Sequence, residues 1–107
     1  MIIKNRVYGL LGISAKARRI AYGADSCLEE MKNKKIYLLI VAEDASQKTI
    51  KNYRFYAEKY QVPFLVWGKM EEISQSIGKR NKAIIGIKDI NLSNEIQKII
   101  NGGEIIG

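Results

Sequence analysis

Ile36-Tyr37-Leu38-Leu39-Ile40-Val41-Ala42, followed at once by Glu43-Asp44-Ala45-Ser46, is the stretch that decides how this chain folds. The apolar run shows no alternation, so neither face of a strand built from it meets water. A strand of that kind sits in the middle of a sheet covered by helices on both sides. Its seven residues fall far short of the ~20 needed to cross a membrane. Ser46 is placed to cap a helix in which Ile50, Tyr53, Ala57 and Tyr60 share one face, as an amphipathic helix on a sheet requires.

Working outward, the same alternation repeats. Downstream, Pro63-Phe64-Leu65-Val66-Trp67 reads as a second buried strand, with its proline at the first residue, where a missing N–H does least harm. Met70, Ile73 and Ile77 mark a short helix ended by Gly78, and Ala83-Ile84-Ile85-Gly86-Ile87 is another apolar strand. Ile96, Ile99 and Ile100 give a last helix, which Asn101-Gly102-Gly103 is expected to end. Upstream, Val7, Leu10 and Leu11 set a helix over about residues 4–17, Ile20-Ala21-Tyr22 a short extended piece expected at a sheet edge, and Cys27, Leu28 and Met31 a helix from Ala24 to Asn33. Helices alternating with buried strands predict one α/β domain, a three-layer α/β/α sandwich on a four-stranded sheet. Helical crossovers favour mainly parallel pairing within it.

The chain has 107 residues, enough for one core without staples. A lone cysteine, Cys27, cannot make an internal disulfide and reads as a small buried hydrophobe. Met1-Ile2-Ile3 runs straight into Lys4, Asn5 and Arg6, which leaves no apolar signal segment, so a cytoplasmic location is expected. Eighteen Lys and Arg against eleven Asp and Glu give a net charge of +7, and the excess is clustered. Residues 1–23 carry Lys4, Arg6, Lys16, Arg18 and Arg19 with no acid; Lys48, Lys51 and Arg54 form a second group, and Lys79, Arg80 and Lys82 a third. Clustered cations bind polyanions by releasing their condensed counterions. A solvated basic surface is the plainer reading of the same clusters. No amphipathic Lys/Arg helix backed by Trp or Phe favours a membrane surface.

Catalytic signatures are missing. The chain has no histidine, the commonest general base and metal ligand, and its one cysteine leaves no zinc set. Neither a phosphate-binding glycine loop nor a dinucleotide fingerprint occurs. Glu43-Asp44 ends the central strand, where α/β sites often form; metal binding and the capping of a helix N-terminus are both open for it. Neither an enzyme nor a cofactor is therefore expected. A recognition surface remains. The turn at Gly23 opens a helix at Ala24, whose free N–H groups suit phosphate. Gly78-Lys79-Arg80-Asn81-Lys82 is a basic loop before a strand, and Arg18-Arg19 precede the first strand. All three segments are expected at one end of the sheet, an arrangement suited to folded RNA.

Ordered segments of the chain resemble one family. Leu11-Gly12-Ile13-Ser14-Ala15-Lys16-Ala17-Arg18-Arg19 with Tyr22-Gly23 looks like its opening helix and turn, and Ile40-Val41-Ala42-Glu43-Asp44-Ala45-Ser46 with Thr49 like its strand-to-helix segment. Val62-Pro63-Phe64 and Ile77-Gly78-Lys79 fall where its third strand and basic loop lie. The set is similar to the L7Ae/L30e ribosomal protein family, especially its short bacterial members, over roughly residues 5–100. The resemblance implies an L30e-like fold with a mixed sheet, a monomer when free, and a structured RNA partner, ribosomal RNA above all. That RNA is often a kink-turn, a sharp bend between two helices flanked by sheared G·A pairs. The implied contacts fall on Gly23, Ala24, Asp25, Ser26 and Glu29, and on the loop from Gly78 to Ala83, with Lys79, Arg80, Asn81 and Lys82 inside it. Asp25-Ser26 replaces the family's usual Asn-Glu or Lys-Gln pair, and Glu29 stands where a lysine meets phosphate. Arg18 stands where bacterial relatives tend to have glycine, adding a cation expected beside the site. Two further readings accompany RNA binding: a protein-interaction scaffold that kept the fold and lost RNA recognition, and the substrate-recognition domain of an RNA-modifying enzyme.

Overall fold

Nine elements alternate along the computed structural model, which describes the backbone of residues 2–106 and the side chains of residues 4–101. They are α1 (Ile2–Lys16), β1 (Ile20–Tyr22), α2 (Ala24–Lys32), β2 (Leu38–Val41), α3 (Gln47–Lys59), β3 (Phe64–Val66), α4 (Met70–Ser76), β4 (Ile84–Ile87) and α5 (Ile90–Ile106). The four strands form one sheet in the order β1-β4-β2-β3. β2 occupies the interior of the sheet, as its unbroken apolar run demands, and all four of its residues are buried.

The sheet is mixed, as the family resemblance implies, rather than mainly parallel, as helical crossovers alone favour. β2 pairs in parallel with β3, whereas β4 pairs antiparallel with both β1 and β2. Three strands thus point one way, and the last is threaded between the first two against them. The reason lies in α4. Its seven residues span only about 10 Å, and the chain leaves this connection at the end of the sheet where β3 finished. There the Ala42 N–H donates to the Ala83 carbonyl at 2.8 Å. The next strand has to run back. β3 is also an edge strand, and all three of its residues are only half-buried, against the expectation of a buried one. β1 takes the other edge, as expected.

Strand alternation sorts the core into two layers. Leu38, Ile40, Ile85 and Ile87 face Val7 and Leu11 of α1, Ile73 of α4, and Ile96 and Ile99 of α5. Leu39, Val41 and Ile84 face Cys27 and Met31 of α2 and Ile50 and Ala57 of α3. The three-layer sandwich follows from this period-two division of apolar strands. Cys27 behaves as a buried hydrophobe: burial pushes its thiol up to about 12, so it carries little thiolate near neutral pH. Among the described residues, no helix is long and apolar enough to cross a membrane.

The helix ends are sequence-coded, though not all in the expected way. Ser46 caps α3 as anticipated, its Oγ accepting the Thr49 N–H at 3.0 Å. Four helices close with a Schellman motif, in which a left-handed residue follows the helix and two N–H groups reach back to its last carbonyls. Gly78 is the left-handed residue after α4 (φ +70°), while Arg18 (φ +59°), Lys34 (φ +61°) and Gln61 (φ +59°) serve after α1, α2 and α3. The paired bonds are Arg18 to Ala15 and Arg19 to Ser14, Lys34 to Met31 and Lys35 to Glu30, Gln61 to Glu58 and Val62 to Ala57, and Gly78 to Gln75 and Lys79 to Ser74. α5 does not stop at Asn101-Gly102-Gly103 but continues to Ile106. Glycine weakens a helix by about 1 kcal/mol relative to alanine without forbidding it.

Candidate nucleic-acid interface

At the end of β1 the chain turns through Gly23, with φ +84° and ψ +170°. Only glycine takes this conformation readily. The Gly23 N–H donates to the Ile84 carbonyl at 2.8 Å, which fastens the turn to the start of β4. α2 then begins with no side-chain cap. The first hydrogen bond from its amides is Cys27 N–H to the Gly23 carbonyl at 3.1 Å. The amides of Ala24, Asp25 and Ser26 are therefore presented at the exposed tip of a helix, at its positive end.

The basic loop arrives at the same place by way of Ser74. This buried hydroxyl accepts the Lys82 N–H at 2.8 Å and donates to the Lys82 carbonyl at 3.3 Å. Pinned at Gly78 and Lys82, the loop holds Lys79, Arg80 and Asn81 in solvent, with Asn81 left-handed at φ +55°. The Lys79 ammonium rests over the Tyr22 ring, 4.9 Å from its centroid. Lys82 Nζ lies 3.9 Å from where a Cβ on Gly23 would stand. Lys79, Arg80 and Lys82 take part in none of the ion pairs found among the described residues, so their charge is available to a ligand. An open groove of about 580 Å³ runs behind the loop, with Met70, Gln75, Arg80 and Asn81 in its lining and Glu71 at its side.

Gly23, Ala24, Asp25 and Ser26 thus meet Gly78 to Lys82 at one end of the sheet. Glu29 is exposed one turn further along α2. Arg18 and Arg19 are not part of this group. They precede β1 while Gly23 follows it, and a strand carries its two ends to opposite ends of a sheet. The Arg19 carbonyl accepts the N–H of Lys88, at the far end of β4. From Lys82 to Lys88 are six residues, about 20 Å of extended chain. Arg18 therefore adds no cation beside the Gly23 turn.

Glu43 and Asp44 are structural. Glu43 Oε2 accepts the Gly68 N–H at 3.0 Å, and Asp44 Oδ1 accepts the Met70 N–H at 2.9 Å, capping α4. Lys69 pairs with Glu43 at 3.5 Å. No cluster of three metal-ligating side chains occurs among the described residues. Reading the sequence missed two contributors to the interface. Tyr22 was read as strand and as part of the family's turn but not as a contributor to the site, although an aromatic beside a turn glycine is a signal of its own. Ser74 gave none, since its partner depends on how α4 packs.

Residues 5–97 match the model of the ribosomal protein L7Ae/L30e/S12e/Gadd45 family. An RNA-binding protein YlxQ of Bacillus subtilis is 27% identical over 94 residues, covering 88% of this chain and 94% of that protein. An RNA-binding protein YlxQ of Enterococcus faecium is 28% identical over 99 residues, covering 92% and 95%. The solved structure of a protein of unknown function from Bacillus halodurans superposes with a TM-score of 0.85 at 29% identity, covering 89% of this chain and 96% of that one. The Giardia lamblia 15.5kD RNA binding protein superposes with a TM-score of 0.77 at 20% identity, covering 100% and 92%, a likeness of fold. With the family model spanning most of its length, the chain belongs to the ribosomal protein L7Ae/L30e/S12e/Gadd45 family.

Proposed function

We propose that this protein binds structured RNA with the Gly23 end of its sheet, in association with the ribosome, and that it acts by binding rather than by catalysis. The observation that carries the reading is the meeting of a helix N-terminus without a side-chain cap with three cations, in no ion pair among the described residues, on a loop pinned by Ser74. Amides aimed outward fix a phosphate or base edge in place, and the cations supply affinity. The RNA-binding names of the two YlxQ relatives support it. Titration of fluorescent ribosomal RNA fragments across a salt series tests it. Three cations meeting phosphates give a slope of log K against log[salt] of about −2 to −3, at 0.7 to 0.9 for each. A flat plot, or no binding, rejects the reading.

Within that function we propose a kink-turn as the RNA element. Asp25 can accept hydrogen bonds from a guanine edge, and exposed Glu29 lies one helical turn beyond, on the path of a backbone. A carboxylate there repels phosphate, so Glu29→Lys is expected to raise kink-turn affinity by about tenfold and to steepen the salt slope by about one phosphate. An unchanged affinity takes the second turn of α2 out of the contact. The exposed acids Asp25 and Glu29 also favour a second reading, a protein-interaction scaffold. Such a scaffold keeps its partner in an RNase-treated pull-down, whereas an RNA binder loses it.

A further inference from the structure

The far end of the sheet carries a second concentration of charge. Arg18, Arg19, Lys34, Lys35, Tyr37 and Lys88 line a groove of about 530 Å³ there. Lys88 is engaged by Glu30 at 3.1 Å. The other four cations are exposed and take part in no ion pair among the described residues. Lysine and arginine near helix C-termini are favourable in themselves, because carbonyl ends attract them. That effect does not account for where two of these stand. Arg18 and Lys34 occupy the left-handed Schellman positions of α1 and α2, where a side chain costs stability and glycine is the usual choice. At both positions the chain holds a cation in a strained conformation, and both cations line the same groove.

Tyr37 makes the groove more than a charged surface. The residue is 40% exposed and lines the groove together with the cations, at the point where the chain enters β2. An exposed aromatic bordered by cations is the arrangement that holds single-stranded nucleic acid, with a base stacked on the ring and phosphates on the charges. The groove has the volume of a small-ligand site, enough for an unpaired nucleotide. We infer that this groove is a second RNA site, specific for a single-stranded segment, with Tyr37 as stacking platform and Arg18, Arg19, Lys34 and Lys35 as phosphate contacts. It lies at the opposite end of the sheet from the Gly23 surface and does not depend on it. One RNA can then be held at two points, a folded element at one end and a flanking single strand at the other.

The experiment measures binding of an unstructured, fluorescein-labelled RNA decamer to the full chain by anisotropy. Its main variant is Arg18→Gly with Lys34→Gly, which removes two cations and relieves the backbone at the same time. Its melting temperature should equal or exceed that of the parent, so lost binding cannot be blamed on lost folding. Two single-strand phosphate contacts are worth about 0.7 of a decade each between 1 M and 0.1 M salt. Affinity at 0.1 M salt should therefore fall about 25-fold, and the salt slope should flatten by about 1.4. Tyr37→Leu, which keeps apolar bulk and removes the stacking face, should weaken binding about fivefold or more. Gln61→Gly, the same backbone change without charge, should leave binding unaltered. Parent-like affinity in the Arg18/Lys34 variant overturns the inference. So does a larger loss from Lys79→Ala with Arg80→Ala, which puts the decamer at the Gly23 end. An inert Tyr37→Leu overturns it too, leaving only diffuse attraction.

Discussion

Lys79→Ala combined with Arg80→Ala is expected to lower the affinity for a compact folded RNA about 60-fold at 0.1 M salt, with little change in stability. Each neutralised phosphate contributes about 0.9 of a decade between 1 M and 0.1 M salt on a duplex, so two lost cations remove about 1.8 decades and flatten the salt slope by the same amount. Stability should hold because the loop is fastened by groups these substitutions leave alone: the Gly78 and Lys79 amides on α4, and Ser74 with the Lys82 backbone. Lys79 loses its contact with the Tyr22 ring, an exposed cation–π pair worth roughly 0.5–1 kcal/mol. The comparison is Lys34→Ala with Lys35→Ala, which removes the same charge at the other end of the sheet. An RNA with no single-stranded overhang should scarcely notice it. Affinity measured for both pairs over a salt series decides the matter. Equal losses would mean that net charge alone attracts RNA and that the Gly23 end is not a site.

Most of the architecture was legible in the sequence because burial leaves a pattern. The unbroken run from Ile36 to Ala42 could only be an interior strand, and Ser46 and Gly78 mark helix boundaries with a side chain and a conformation that each have a local cause. Pairing direction leaves no such mark. A strand buried on both faces looks the same whether its neighbours run with it or against it, so burial does not reveal the antiparallel insertion of β4, and the mixed sheet was expected from the family resemblance instead. Edge position was hidden in β3 for the same reason, since Phe64, Leu65 and Val66 are apolar although half-buried. The left-handed residues Arg18, Lys34 and Gln61 that close α1, α2 and α3 carry no glycine to mark their conformation. The meeting of the Gly23 turn with the 78–82 loop was anticipated from loop chemistry. Placing Arg18 and Arg19 beside them was an error of topology, because residues on either side of one strand lie at opposite ends of the sheet.

Gly23→Val tests whether the turn itself, rather than the charge near it, makes the interface. The obstacle is conformational, not steric: the nearest atom to an added Cβ is Lys82 Nζ at 3.9 Å, an ordinary contact. A backbone at φ +84° and ψ +170° costs a non-glycine residue about 1–3 kcal/mol, and a β-branched one belongs at the upper end. In a domain of this size 1 kcal/mol corresponds to roughly 4–8 °C in melting temperature. A fall of about 10 °C or more is expected by calorimetry. Gly9→Ala gives the contrast. Gly9 lies inside α1 with nothing within 4 Å of an added Cβ, and filling a helical glycine gains about 0.5–1 kcal/mol. RNA affinity at a temperature where the valine variant remains folded separates the two roles of Gly23. If the chain escapes the strain by rotating the turn, the amides of Ala24, Asp25 and Ser26 move off their line while Lys79, Arg80 and Lys82 keep their charge. Binding should then lose its preference for folded RNA over an unstructured strand, and the salt slope should change little. Retained preference with only a lower melting temperature would assign Gly23 to the fold alone and leave recognition to the loop.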